Sequence, residues 1–193
     1  MGKGRLEAFS DGVIAVIITI MVLEMKVPHG ADTAALAPLV PIFLAYVLSF
    51  VLVAIYWNNH HHMFHAVRQV TGATLWANMH LLFWLSLVPF TTGWMDENHF
   101  APVTVAAYGA VLLGAGIAYF ILTRVLLATH GHDSPFARAL GSDFKGKGSL
   151  VLYAAAIGLA FWQAWISLAI YALVALWWLV PDRRFERLLA ERK

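Results

Sequence analysis

Residues 5–28 read RLEAFSDGVIAVIITIMVLEMKVP. From Gly12 to Leu23 the stretch is uncharged and carries one hydroxyl, Thr19. An apolar run of this kind, about 12–27, reads as a membrane-crossing helix, because a helix satisfies its own backbone groups in lipid. Its ends are polar: Arg5, Ser10 and Asp11 on one side, Glu24 and Lys26 on the other. On a helical wheel Val16, Thr19, Ile20 and Leu23 follow i, i+3, i+4, i+7 and share one face, which Gly12 extends. Asp11 lies about 140° from Val16 at 100° per residue and points toward its own subunit's bundle.

The rest of the chain repeats this character. Further apolar runs fall at about 37–57, 73–95 and 101–128, and a longer one at about 149–180. Of the 193 residues, 61% are hydrophobic and 12% charged, and the mean hydropathy is +0.71. A soluble domain usually carries about twice that share of charge. The class is an integral membrane protein, as a single domain over 1–193. Asp11 at the start of the first run, and no clear small-residue cleavage site after it, argue against a signal peptide. Cys is absent, which excludes disulfides, thiolate metal sites and Cys nucleophiles. A net charge of +2 gives no case for a nucleic-acid partner.

The last run holds about 32 residues, near 48 Å as one helix, against a hydrocarbon core of about 30 Å. Charge decides how it is used. The tail carries Arg183, Arg184, Arg187, Arg192 and Lys193, and the connector 129–148 carries Arg138, Lys145 and Lys147. The positive-inside rule puts both in the cytoplasm, which requires an even number of spans between them. The run is thus expected to be a hairpin of two short helices, turning near Trp162–Trp165. The same count puts both termini and Arg68 inside and Asp96–Glu97 outside. The fold class is an all-α membrane protein with six transmembrane helices per subunit. Segment 134–148 is expected to hold a short interfacial piece, and the tail a short amphipathic surface helix.

Polar residues inside the runs are few, and such groups are normally paired. The second helix ends in Tyr56-Trp57-Asn58-Asn59-His60-His61-His62-Met63-Phe64-His65. His61 and His65 have i, i+4 spacing that can hold a metal, but no carboxylate lies nearby and HExxH is absent. Hydrogen bonding across helices, or to water at the boundary, is the favoured role for His60, His61, His62 and His80. Pro89, in Leu87-Val88-Pro89-Phe90-Thr91-Thr92, is expected to kink the third helix, with hydroxyls bonding the freed carbonyls. There is no TVGYG filter, phosphate loop, nucleophile triad or carboxylate pair, so no catalytic residue, cofactor or metal is assigned and the chain is not read as an enzyme.

At Arg5, Phe9, Ser10 and Asp11 the chain carries an RxxxFSD signature opening its first helix. It resembles the transmembrane protein 175 family, the endolysosomal potassium channels and their prokaryotic relatives. LEMKVP at 23–28, YWNNHHHMF at 56–64, LVPFTT at 87–92 and LVPDRRFERLLA at 179–190 agree. The resemblance implies a homotetramer in the inner (plasma) membrane, conducting potassium ions through a central pore lined by the first helix of each subunit. Carried onto this chain, Val16 would form the tightest ring, Thr19 a hydroxyl layer one turn outward, and Ile20 and Leu23 the positions beyond. Val16 departs from the Ile or Leu often found in the family. The FSD motif would lock the first helix to the bundle through polar partners that include His of the second helix. A different class, a proton- or metal-coupled transporter using the His cluster, would need more intramembrane carboxylates than Asp11 and Glu24.

Overall fold

The computed structural model describes residues 2–131, 134–140 and 143–179. The basic tail, and with it the expected amphipathic helix, lies outside the described residues. In chain order the helices are α1 (Lys3–Leu23), α2 (Val40–His65), α3 (Gly72–Ser86), α4 (Val88–Glu97), α5 (Pro102–His130), α6 (Pro135–Leu140), α7 (Phe144–Ala160) and α8 (Ala164–Leu179). Among the described residues four stretches are long and apolar enough to cross a membrane: Lys3–Leu23, Thr33–His65, Gly72–Glu97 and Pro102–His130.

Several boundaries differ from the hydropathy runs. α1 starts nine residues before its apolar run and ends at Leu23. Pro28 disfavours helical backbone at Val27, and an exposed Lys26–Glu97 ion pair of 3.1 Å draws the segment toward the end of α4. α2 runs to His65, so the whole His-rich stretch is helical. A 3₁₀ turn over Thr33–Leu39 precedes it, capped by Asp32, which accepts from the Ala35 amide at 3.1 Å.

The kink at Pro89 is a full break between α3 and α4 at Leu87. Proline lacks the N–H that would continue the ladder. Ser86 Oγ donates to the Phe83 carbonyl at 2.7 Å and Thr91 Oγ1 to the Leu87 carbonyl at 3.1 Å. Carbonyls flanking the break are thereby bonded without water. The long last run is also divided. Its turn falls at Phe161–Gln163, one residue before the segment expected, and Ser167 Oγ donates across it to the Ala156 carbonyl at 2.7 Å.

α5 is the hub, packed against α3, α4, α7 and α8. Close approach rests on two glycines of α5. The Tyr171 hydroxyl of α8 occupies the place a side chain at Gly109 would need, and the Trp84 ring of α3 does the same at Gly114. Small residues let helices approach where lipid gives no hydrophobic drive. Hydroxyls add a second tie: Ser49 of α2 bonds Thr92 of α4 at 2.8 Å and Tyr108 of α5 at 3.0 Å, all buried. Gly114→Val should overpack the α3–α5 seam and destabilise the chain by about 1–3 kcal/mol. Gly4→Val, where nothing lies within 4 Å, should not. Thermal unfolding in detergent compares the two, and equal melting would refute the packing argument.

Candidate functional site

α1 divides its residues between two environments. Leu6, Ser10, Ile14, Ile17 and Met21 are buried at i, i+4, i+8, i+11 and i+15, a continuous stripe against α2, α3 and α4. The other side is bare: Val16 is 55% exposed, Ile20 40% and Leu23 79%, and Gly12 and Thr19 are exposed with them. A groove of about 970 Å³ runs along this side, lined by Gly12, Val16 and Ile20 of α1 and Pro89, Phe90 and Trp94 of α4. On the same bare side, Thr19 Oγ1 donates to its own helix, 3.0 Å from both the Ala15 and Val16 carbonyls. Its proton is thus engaged, and the exposed hydroxyl oxygen can still accept.

The clamp on the buried side is polar at one end. Asn78 of α3, fully buried, donates from Nδ2 to Ser10 Oγ at 2.9 Å and accepts at Oδ1 from His60 Nε2 at 2.8 Å. Ser10 Oγ donates onward to the Leu6 carbonyl at 2.9 Å. Because the Asn78 oxygen can only accept, His60 Nε2 must carry the proton. Three helices are thus joined by one directional chain of donors: His60 to Asn78, Asn78 to Ser10, Ser10 to Leu6. Bonds in such a chain polarise and strengthen one another. The His60 ring also packs on Phe64, with centroids 4.5 Å apart.

The signature residues separate on inspection. Ser10 is the buried member; Asp11 is exposed and accepts from Trp57 Nε1 of α2 at 2.9 Å. That corrects the expectation of Asp11 as a group buried in its own bundle. The i+1 position on the wheel turns it past the core to the rim, where an indole partner suffices. Asp11→Ala should therefore cost about 0.5–1.5 kcal/mol, the range for one ordinary hydrogen bond, and not the loss of a buried pair. A melting-temperature drop as large as that of a core deletion would overturn this. Arg5 is exposed, and Phe9 is 48% exposed.

Of the candidate partners, His60 joins the Ser10 node, through Asn78. His61 is exposed and stacks between Trp57 and His65, with centroids 6.1 Å from each. His62 meets His61 edge-on at 5.6 Å. His80 accepts from Trp84 Nε1 at 3.0 Å within α3. Among the described residues no group of three or more His, Cys, Asp or Glu gathers as a metal site. Asn78 and Trp57 escaped the sequence argument as partners. A lone carboxamide in the apolar run TLWANMHLLFW was the available signal for Asn78, since such groups seek partners in lipid.

Comparison with known proteins supplies the family. The model of the endosomal/lysosomal potassium channel TMEM175 matches residues 5–89, the segment that contains every member of the polar clamp. A potassium channel of a Chryseobacterium species is 53% identical over 191 residues, covering 99% of this chain and all (100%) of that one. One of Streptomyces collinus is 37% identical over 190 residues, covering 91% of each. The crystal structure of a lysosomal potassium-selective channel TMEM175 homolog from Chamaesiphon minutus superposes with a TM-score of 0.78 at 30% identity, covering 93% of this chain and 97% of that one. With matches spanning nearly its whole length, this membrane protein belongs to the TMEM175 channel family.

Proposed function

We propose that the chain is one subunit of a homotetrameric, potassium-preferring channel of a prokaryotic plasma membrane, with α1 of each subunit at the pore axis. The observation that carries this is the bare stripe Gly12–Val16–Thr19–Ile20–Leu23 on a helix whose opposite side is clamped into the bundle. In a lone subunit the stripe meets lipid and offers ions no path. Around a fourfold axis it supplies stacked rings. Four Val16 side chains make an apolar collar that resists hydrated ions, and four Thr19 oxygens stand one turn outward to replace part of a hydration shell. The groove beside α1 gives a neighbouring copy a seat. The bacterial relatives described as potassium channels support the choice of ion.

Six spans fit this assembly: α1, α2, the broken α3–α4 unit, α5, α7 and α8. Both termini, Arg68 and the connector with Arg138, Lys145 and Lys147 then lie in the cytoplasm, and Asp96 and Glu97 outside. The test is a bilayer recording of the reconstituted chain with K⁺ on one side and Na⁺ on the other, beside native mass measurement in detergent. A reversal potential displaced toward K⁺ and a fourfold mass are expected. Equal permeability would remove the potassium preference, and a monomer alone would remove the pore.

A further inference from the structure

The end of α5 carries a histidine with an unusual set of partners. His130 Nε2 is 3.1 Å from the Arg68 amide nitrogen and 3.3 Å from that of Gln69. Both amides can only donate, so Nε2 must present its lone pair. On the other side of the ring Nδ1 lies 2.9 Å from the Leu126 carbonyl, which can only accept. The partners fix one tautomer, Nδ1–H with a bare Nε2. They leave no room for the cation, in which both nitrogens donate. An imidazolium would set its own N–H against two backbone N–H groups.

What His130 holds is the connection between α2 and α3. Arg68 and Gln69 sit in the short segment 66–71, which follows directly on α2. Thr71 ends that segment as the N-cap of α3, its hydroxyl accepting from the Thr74 amide at 3.2 Å. Asn78 lies two turns further along α3, and His60 just over one turn before the end of α2. The segment thus joins the two helices that grip Ser10 of α1. The His130 ring also faces the buried Phe136 of α6, with centroids 6.5 Å apart.

We propose that His130 is a proton-sensitive latch: it holds segment 66–71, and through it the α2–α3 grip on α1, while its ring is neutral, and releases the segment when protonated. The sign follows from the geometry. Order at 66–71 is present while the ring is neutral and is lost when Nε2 takes up a proton, so acid loosens the segment and base restores it. The charged groups on the elements packed against the ring are Arg68 on the segment, Arg138 on α6 and Arg124 on α5 itself, all exposed. The titratable groups at the adjoining end of α2 are His60, His61, His62 and His65. His132 and Asp133 follow in the chain, outside the described residues. The latch itself does not depend on ion conduction; its effect on current, and its facing the cytoplasm, rest on the channel and topology proposed above.

Hydrogen exchange on the full chain in detergent, between pH 5 and 8, separates these layers. The peptide covering 66–71 is compared in wild type and His130→Gln at each pH, which cancels the intrinsic pH dependence of exchange. Wild-type protection should fall about tenfold relative to the variant as pH drops. His130→Gln should show no titration of its own, whether or not its amide oxygen restores the bonds, because it cannot ionise. A wild type whose protection tracks the variant at every pH would overturn the latch. If His61→Gln/His65→Gln abolishes the same transition, it belongs to α2 and the latch is again refuted. In bilayers, acidifying only the cytoplasmic side should change wild-type current reversibly by about twofold or more and leave His130→Gln flat. A loop that titrates beside a current that does not would overturn the coupling to α1. Absence of current in every variant would count against the channel, while the exchange result would still decide the latch.

Discussion

Asn78→Leu should be among the most damaging single changes in the chain, at about 2–5 kcal/mol from an orphaned buried donor and added bulk together. The replacement keeps the branched outline, adds bulk to a fully buried site and removes both polar ends. His60 Nε2–H, 1% exposed as a residue, then has no acceptor in a low-dielectric interior, and an orphaned buried donor costs more than a hydrogen bond contributes. Ser10 suffers less, because its own proton still reaches the Leu6 carbonyl. Ser10→Ala should accordingly cost less than Asn78→Leu, and the double variant less than the sum, since both disrupt one chain of bonds. Asn98→Leu is the control: its carboxamide is exposed and bonds only the Trp94 carbonyl of its own helix. Detergent melting measures all four. An Asn78→Leu chain that melts with wild type would show that α1 is held by packing alone.

The second large effect is expected on conduction and not on folding. Thr19→Val leaves the width of the stripe nearly constant and removes its hydroxyl. If four Thr19 oxygens meet the ion, their simultaneous loss should lower the preference for K⁺ over Na⁺ while the tetramer persists. If four Val16 side chains form the neighbouring collar, Val16→Asn acts in the opposite sense: a polar ring no longer expels water, and current should rise. Both positions are exposed on the single chain, so neither substitution disturbs its core. Bi-ionic reversal potentials and single-channel currents, wild type beside each variant, provide the check. An unchanged reversal potential in Thr19→Val together with unaltered current in Val16→Asn would move the ion path away from α1.

The sequence makes the helices and their polarity legible because lipid leaves few alternatives. A run of about twenty apolar residues must be helical, and Pro89 must disturb the helix that contains it. The wheel of α1 likewise groups Val16, Thr19, Ile20 and Leu23 on one face without knowledge of any neighbour. Partnership is another matter. Hydropathy could rank His60, His61, His62 and His80 only by their presence in apolar surroundings. Which one meets Ser10 depends on the rotation of α2 and α3 about their own axes, and packing sets those rotations. His80 and Asn78 lie two residues apart on α3, yet the first turns to Trp84 and the second to the clamp. Asp11 and Ser10 differ by one position, and one is at the rim while the other is fully buried.

Leu6, Ser10, His60 and Asn78 all precede α4 in the chain. The ribosome therefore delivers the complete clamp on α1 before any residue of the α5 hub has been made. α1 can be oriented against α2 and α3 during insertion, and the later helices add bulk around a piece whose bearing is already set. Order of synthesis and order of structural dependence run the same way, as expected where domains assemble from the N-terminus during translation.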